Sequence, residues 1–386
     1  MLLKSSEHKA STNKTVAIIG TRGIPNSYGG FEYFAEHLSV SLVNKGYQVL
    51  VLEPTKALVK LENYQGVVRI PIKVSKLFPH AIRKIIYGCK SLKKAKRINA
   101  DAIICCGYTP ALFFIFYSKS FRKKIIVNLD GIEWKRAKWN FVGKLFLRLT
   151  EYLSVKWSGK LVADNKGIKD YILKKHGEET ELIAYGVNIP TKKPEVGPLT
   201  AKGLTPNNYG LTVARIEPEN QIELIIKSFI TAGKTLVIVG GLCNRYAKTL
   251  HNIYSNLPNV VFWGAEYNSD NLLSLRSHAN LYVHGHTVGG TNPSLLEAMA
   301  CGCKIAAHNN MFNHHTLDNT GLFFDNERQL SDLIENYWNK TESWGTDAKL
   351  RAAEQYSWEV VTNKYIGLIE NATNKLNKKP KSQCQK

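Results

Sequence analysis

Short apolar runs separated by amphipathic stretches recur along this chain. Runs of aliphatic and β-branched residues at 15–19, 48–52, 102–105, 124–128 and 160–163 predict strands. Between the first two, residues 31–45 set Phe31, Phe34, Ala35, Leu38, Leu42 and Val43 on one side of a helix that Gly46 ends. A further helix is predicted near 141–157. The pattern then restarts, with strands at 209–214, 235–239, 260–263, 281–284 and 304–307 and helices near 219–231, 271–279, 293–301 and 328–337. Residues 189–208, with Pro190, Pro194, Pro198 and Pro206, read as a linker.

Strands alternating with helices at this spacing build parallel sheets from βαβ units. The prediction is an α/β protein of two doubly wound, Rossmann-like domains facing each other across a deep cleft at the carboxyl ends of their strands, where ligands of such sheets bind. A length of 386 residues fits, since it exceeds what one core supports. The expected bounds are 1–190, with 1–14 loose, then 191–355, and 356–386 as a final helix near 358–371 and a Lys-rich tail.

Charge sharpens the picture. The formal net charge is +21, and residues 1–190 hold 32 Lys and Arg against 14 Asp and Glu, whereas the rest hold 20 against 17. No acidic residue falls between Asn63 and Ala100. Such a one-sided field favours polyanions: nucleic acid, anionic lipid or phosphorylated substrates. Within this stretch Ile82, Ile85, Ile86 and Leu92 alternate with Arg83, Lys84, Lys90 and Lys93, a pattern that fits either an interfacial helix or packing into the domain core. The 7 cysteines form no C-x-x-C pair and read as reduced thiols. No signal peptide is visible, and the longest apolar run, 110–117, is far below the ~20 residues that span a bilayer. The expectation is a cytoplasmic protein, peripheral on the inner face of the cell membrane.

Two strand-to-helix loops carry the chemistry. Gly20-Thr21-Arg22-Gly23-Ile24-Pro25, followed by Tyr28-Gly29-Gly30-Phe31-Glu32, lets backbone N–H groups approach a ligand at a helix start, though it is neither a dinucleotide fingerprint nor a P-loop. The stretch His284–Gly302 is the stronger signal. Asn292 suits the N-cap, Pro293 the first helical position and Gly302 the stop, so the helix start would face a diphosphate. Glu297, one turn further in, suits sugar hydroxyls. His284 and His286 are taken to alternate across a strand end, so no metal is expected, and His286 is assigned to the donor site. Asp130, after the strand at 124–128, is a candidate general base or acceptor-positioning group. Trp134, Lys135, Arg136 and Lys138 lie just beyond it.

Leu295-Leu296-Glu297-Ala298-Met299-Ala300 with Gly302 resembles the E-A-M-A-x-G signature of retaining GT-B glycosyltransferases of family four. Gly29-Gly30-Phe31-Glu32, Tyr185-Gly186-Val187-Asn188, Val213-Ala214-Arg215 and Phe262-Trp263-Gly264 resemble further family motifs in the same order. Thr21–Pro25, Asp130–Arg136, Pro218-Glu219-Asn220 and Val288–Pro293 resemble the bacterial rhamnosyltransferase subgroup of capsule and cell-wall polysaccharide assembly. The resemblance implies the GT-B fold, with a C-terminal helix crossing back to an acceptor-binding first domain and a nucleotide-sugar-binding second one. It implies a nucleotide-sugar donor, rhamnose as the transferred group, a lipid-linked saccharide acceptor at an anionic membrane, and no cofactor.

The donor-site residues so implied are Gly29, Gly30, Arg215, His286, Gly290, Thr291, Asn292, Pro293, Ser294 and Glu297. Asp130 and Glu297 are the catalytic candidates, with Arg22, Glu32, Trp134, Lys135 and Arg136 on the acceptor side. Two positions depart from the family: Gly289 stands where the E-x7-E motif has its first Glu, and Asn220 where a phosphate-binding Lys is usual, so Arg215 carries more of the diphosphate charge. The rivals are a glycosyltransferase using another nucleotide sugar, a nucleotide-sugar epimerase, against which the cluster at 134–139 argues, and a nucleic-acid-binding protein, for which no binding motif is present.

Overall fold

The computed structural model describes residues 14–26, 29–55, 62–129, 131–135, 140–192, 194–288, 290–340 and 343–377. The chain forms two units: Met1–Ala184 together with Trp358–Lys386, and Tyr185–Ser357.

The first unit runs β1 (Thr15–Ile19), α1 (Gly30–Asn44), β2 (Gln48–Thr55), β3 (Val68–Lys73), α2 (His80–Arg97), β4 (Ala102–Cys106), α3 (Lys119–Arg122), β5 (Ile125–Asn128), α4 (Phe141–Trp157), β6 (Lys160–Ala163), α5 (Lys166–His176) and β7 (Glu181–Leu182). The sheet order is β3-β2-β1-β4-β5-β6-β7, and every pairing is parallel. Central strands lie buried on both faces, which is why β4 reads as the continuous apolar run Ala-Ile-Ile-Cys-Cys. A 3-10 stretch, Thr109–Phe116, packs on α2 and α4.

The second unit runs α6 (Gly197–Thr200), β8 (Gly210–Val213), α7 (Ile222–Thr231), β9 (Leu236–Val239), α8 (Arg245–Tyr254), β10 (Val260–Gly264), α9 (Ser269–Ser277), β11 (Leu281–His284), α10 (Pro293–Ala300), β12 (Ile305–His308), α11 (Met311–Leu317), β13 (Leu322–Phe324), α12 (Glu327–Tyr337) and α13 (Trp344–Tyr356). Its parallel sheet has the order β10-β9-β8-β11-β12-β13. Ile225, Phe229, Leu236, Ile238, Val283 and Phe324 are among the residues that fill its core. Both units are Rossmann-like, and together they are the GT-B fold.

Strand order reverses between β1 and β4 in the first unit and between β8 and β11 in the second. The crevice at such a switch point is where open α/β sheets take their ligands. In the second unit it sets the segment after β8, starting at Ala214-Arg215, beside the loop after β11.

The final helix, α14 (Trp358–Asn377), belongs to the first unit, as expected of the crossover helix. Trp358 stacks on His37 at 5.0 Å, and Tyr365 meets Phe34 at 5.4 Å. Asn128 Nδ2 donates to the Tyr365 hydroxyl (3.2 Å), Tyr47 donates to Glu370 (2.7 Å), and Lys14 pairs with Glu370.

Candidate functional site

α10 begins as its sequence predicts. Asn292 Oδ1 accepts from Ser294 N–H (2.9 Å), Pro293 takes the first position, and Gly302 with φ +73° follows the end. Pro293 lacks the N–H that would be an orphan there. The loop before the helix is anchored from outside. Thr287 donates through both N–H and Oγ1 to the Glu219 carbonyl, each at 3.0 Å. Asn310 and Asn313 donate to the His286 carbonyl at 2.9 and 3.2 Å. Gly285 permits the approach of a neighbouring segment, since a Cβ there would stand 2.3 Å from the Asn220 carbonyl oxygen.

Glu297 is half-buried, and behind it lies a residue that the sequence reading passed over. Arg276 of α9 is 4% exposed and pairs through Nη2 with Glu297 Oε2 at 2.5 Å. The same nitrogen donates to Ser294 Oγ (3.3 Å). Ser294 Oγ donates to the Val213 carbonyl (2.9 Å) and lies 2.7 Å from the Tyr282 hydroxyl, so its hydroxyl is engaged inward, tying α10 to β8 and β11. Burial opposes the Arg276 charge, yet Glu297, with smaller contributions from Tyr282, Cys301 and Cys303, outweighs it, and the pKa stands above the ordinary value. A buried guanidinium fixes the carboxylate's aim. The signal was a lone cation three residues after Leu273 and four after Leu272 on the same helix side.

Arg215 stands after β8 with a side chain 72% exposed, paired to Glu217 at 3.2 Å. Asn220, where a phosphate-binding lysine is usual, is buried and donates to the Arg215 carbonyl (2.7 Å), so it shapes the arginine's backbone.

The two histidines require a correction. They do not alternate: two residues apart, they share a side of the chain and stack at 4.3 Å with 10° between planes. Burial pushes His286 down to about 4, with the Arg215 charge adding to the effect, and pushes His284 well below 6.5, with His286 adding. Both rings are therefore neutral. Among the described residues no group of three or more His, Cys, Asp or Glu is arranged to hold a metal. Thr291 is buried and Gly290 half-buried, between these rings and the helix.

In the first unit Gly29 caps α1 and Gly30 opens it. Glu32 is buried and accepts from the Arg22 N–H (2.9 Å), while the Arg22 residue itself is exposed. Trp134 lies in a short 3-10 turn, Glu133–Lys135, where its Nε1 donates to Glu151 (3.1 Å) and to Tyr171 (3.2 Å). The Arg148 guanidinium sits 4.3 Å over its ring. Buried Glu151 also takes Lys175 (2.8 Å) and His176 (3.0 Å). Asp130, Arg136, Lys138 and Gly289 lie outside the described residues, as does the Lys135 side chain.

Residues 202–351 match the family model for glycosyl transferases group 1, and residues 13–188 match a domain of unknown function, DUF1972. No curated protein matches in sequence. Among solved structures, sucrose-phosphate synthase from Thermosynechococcus elongatus is similar at TM-score 0.81 and 16% identity, covering 94% of this chain and 100% of its own. HepE from Anabaena, solved with UDP-glucose, is similar at 0.73 and 15%, covering 93% and 99%. WaaG, a glycosyltransferase of lipopolysaccharide biosynthesis, is similar at 0.68 and 14%, covering 95% and 100%.

Proposed function

We propose that this chain, a glycosyltransferase of the GT-B type, moves rhamnose from a nucleotide-diphosphate donor onto a lipid-linked saccharide, with retention at the anomeric carbon, in surface polysaccharide assembly. The carrying observation is the entrance of α10, where the Glu297 carboxylate is held by buried Arg276 one turn from a capped helix start. The donor's diphosphate lies against that start and Arg215, both of which favour negative charge. Glu297, with one oxygen on Arg276, accepts from a donor hydroxyl with the other. Neutral His286 serves as a hydrogen-bonding group and not as a second cation.

The leaving diphosphate is stabilised by Arg215 and the helix dipole, so turnover is expected to persist in EDTA. Asp130 positions or deprotonates the acceptor hydroxyl. Asp130→Asn should lower kcat with donor affinity kept, because it removes charge and little volume. The basic first unit places the acceptor side against an anionic membrane on the cytoplasmic face. Among the described residues no helix is long and apolar enough to cross a membrane, and peripheral attachment needs none.

The test is a thermal-shift screen of nucleoside diphosphates and their sugars, followed by turnover with the best donor. Stabilisation by a deoxyhexose donor in wild type, weakened in Glu297→Gln, is the expected result. A donor isomerised without any acceptor would identify an epimerase instead.

A further inference from the structure

Helix α4 is turned inside out for a water-facing element. Its inner side carries Thr150, Glu151 and Ser154 beside Leu147 and Val155, all buried. Its outer side carries Phe141, Val142, Leu145, Leu149 and Tyr152, with Phe141 81% and Leu145 59% exposed. The 3-10 stretch packed against it adds Ile115 and Phe116, the latter 78% exposed. Outer helices of α/β domains ordinarily show the reverse polarity. A patch of this kind marks a contact with something apolar.

Charge says what the contact is. No Asp or Glu occurs from Ala102 to Leu129, a span that includes exposed Lys119 and Lys123. On α4 the cations are Lys144, Arg148 and Lys156, and its one acid, Glu151, is turned inward onto Lys175 and His176. An apolar strip bordered mainly by cations, with Glu133 of the 3-10 turn packed on α4 as a nearby acid, suits acyl chains below and anionic headgroups around it.

We propose that the outer face of α4 and the adjoining 3-10 stretch dock the first unit on an anionic lipid bilayer, with Phe141, Leu145, Leu149 and Phe116 entering the headgroup–acyl boundary. The docking rests on the reading above for its purpose, since it brings the enzyme to a lipid-linked acceptor. It is distinct from the α2 face, of which Leu92 is buried, Ile85 and Ile86 are half-buried and Ile82 is 43% exposed, so packing has taken only part of what the sequence left open.

The experiment is flotation of the full chain with phosphatidylcholine vesicles, with and without phosphatidylglycerol, at low and high salt. Wild type should float with the anionic vesicles and lose most binding in high salt. Leu145→Ser/Leu149→Ser should lower the bound fraction about tenfold, and Lys144→Glu/Lys156→Glu should remove its dependence on lipid charge. Lys93→Glu/Lys96→Glu on α2 should change little. Flotation unchanged in the Leu145→Ser/Leu149→Ser protein overturns the proposal. So does light scattering that shows a wild-type dimer which those changes split, because the face then covers a second copy. A nucleoside-diphosphate thermal shift is read on the same samples. Wild type that shifts without floating overturns the docking alone, whereas flotation without any shift supports docking and removes the donor reading.

Discussion

After β1, carboxylates hold the loop by its amides: Glu32 takes the Arg22 N–H (2.9 Å), Glu53 the Ile24 N–H (3.1 Å) and Glu36 the Asn26 N–H (2.6 Å). After β11, neutral amide side chains hold the loop by a carbonyl, and the acid of the helix that follows, Glu297, is already matched by Arg276. Both loops join a strand to a helix at a switch point, and both contain glycine pairs. They differ in what is left open. In the first loop the Arg22, Ile24 and Asn26 N–H groups are already taken by carboxylates, and Glu53 is matched in turn by Arg69, so those amides are not free to meet a phosphate. The second presents a helix start, an exposed arginine and two neutral imidazoles. The donor site proposed above accordingly draws on the second loop.

Substitutions that swap these characters should show how far the difference goes. The largest effect is expected from Glu297→Gln, which leaves Arg276 buried without its charge partner and should cut kcat/KM for the donor about a hundredfold, ~2.7 kcal/mol. The corresponding change in the first unit, Glu32→Gln, should leave donor affinity within about threefold. Next is Arg69→Ala. It removes both hydrogen bonds, each 2.8 Å, from buried Glu53, and should lower stability by about 2 kcal/mol in urea unfolding without touching donor binding. Arg215→Ala should do the converse: affinity for nucleoside diphosphates falls about tenfold, ~1.4 kcal/mol, with the melting temperature unchanged.

The imidazoles give a pH test. Their folded pKa values are depressed, to about 4 for His286 against 6.5 unfolded, so only the unfolded chain takes up protons as pH drops through 6.5. Their stability contribution is complete above pH 6.5 and declines toward pH 4. His286→Gln should flatten that decline in thermal melts. The smallest effect, about 0.5 kcal/mol, is expected from Glu36→Gln, whose bonds to Asn26 N–H and the Tyr64 hydroxyl lie near the surface.

Periodicity carried the interior of both sheets, because strands buried on two faces are apolar throughout. It missed β3, β7 and β13, which sit at sheet edges. Edge β3 tolerates Pro71 and is only half-buried, so its alternation is diluted. Helices α2, α5, α8, α11 and α13 went without an assigned span because their polar majority masks a narrow buried stripe. The α10 entrance was legible since Asn, Pro and Gly have fixed places at helix ends. Arg276 was not, because its role comes from α9 packing beside α10, a contact between segments 21 residues apart that no local pattern encodes. Trp134 was legible as an unusual residue but not as a partner of Glu151, for the same reason.

The return of α14 has a consequence for how the protein is made. The groove on α1 lined by Phe34 and His37 is filled by Trp358 and Tyr365, residues translated only after the whole second unit. At about 5–20 residues per second, a ribosome that has finished Ala184 needs on the order of 10–40 s to deliver that helix. Until then the nascent first unit shows an open apolar groove, so chaperone occupancy on stalled chains should fall once α14 has left the exit tunnel.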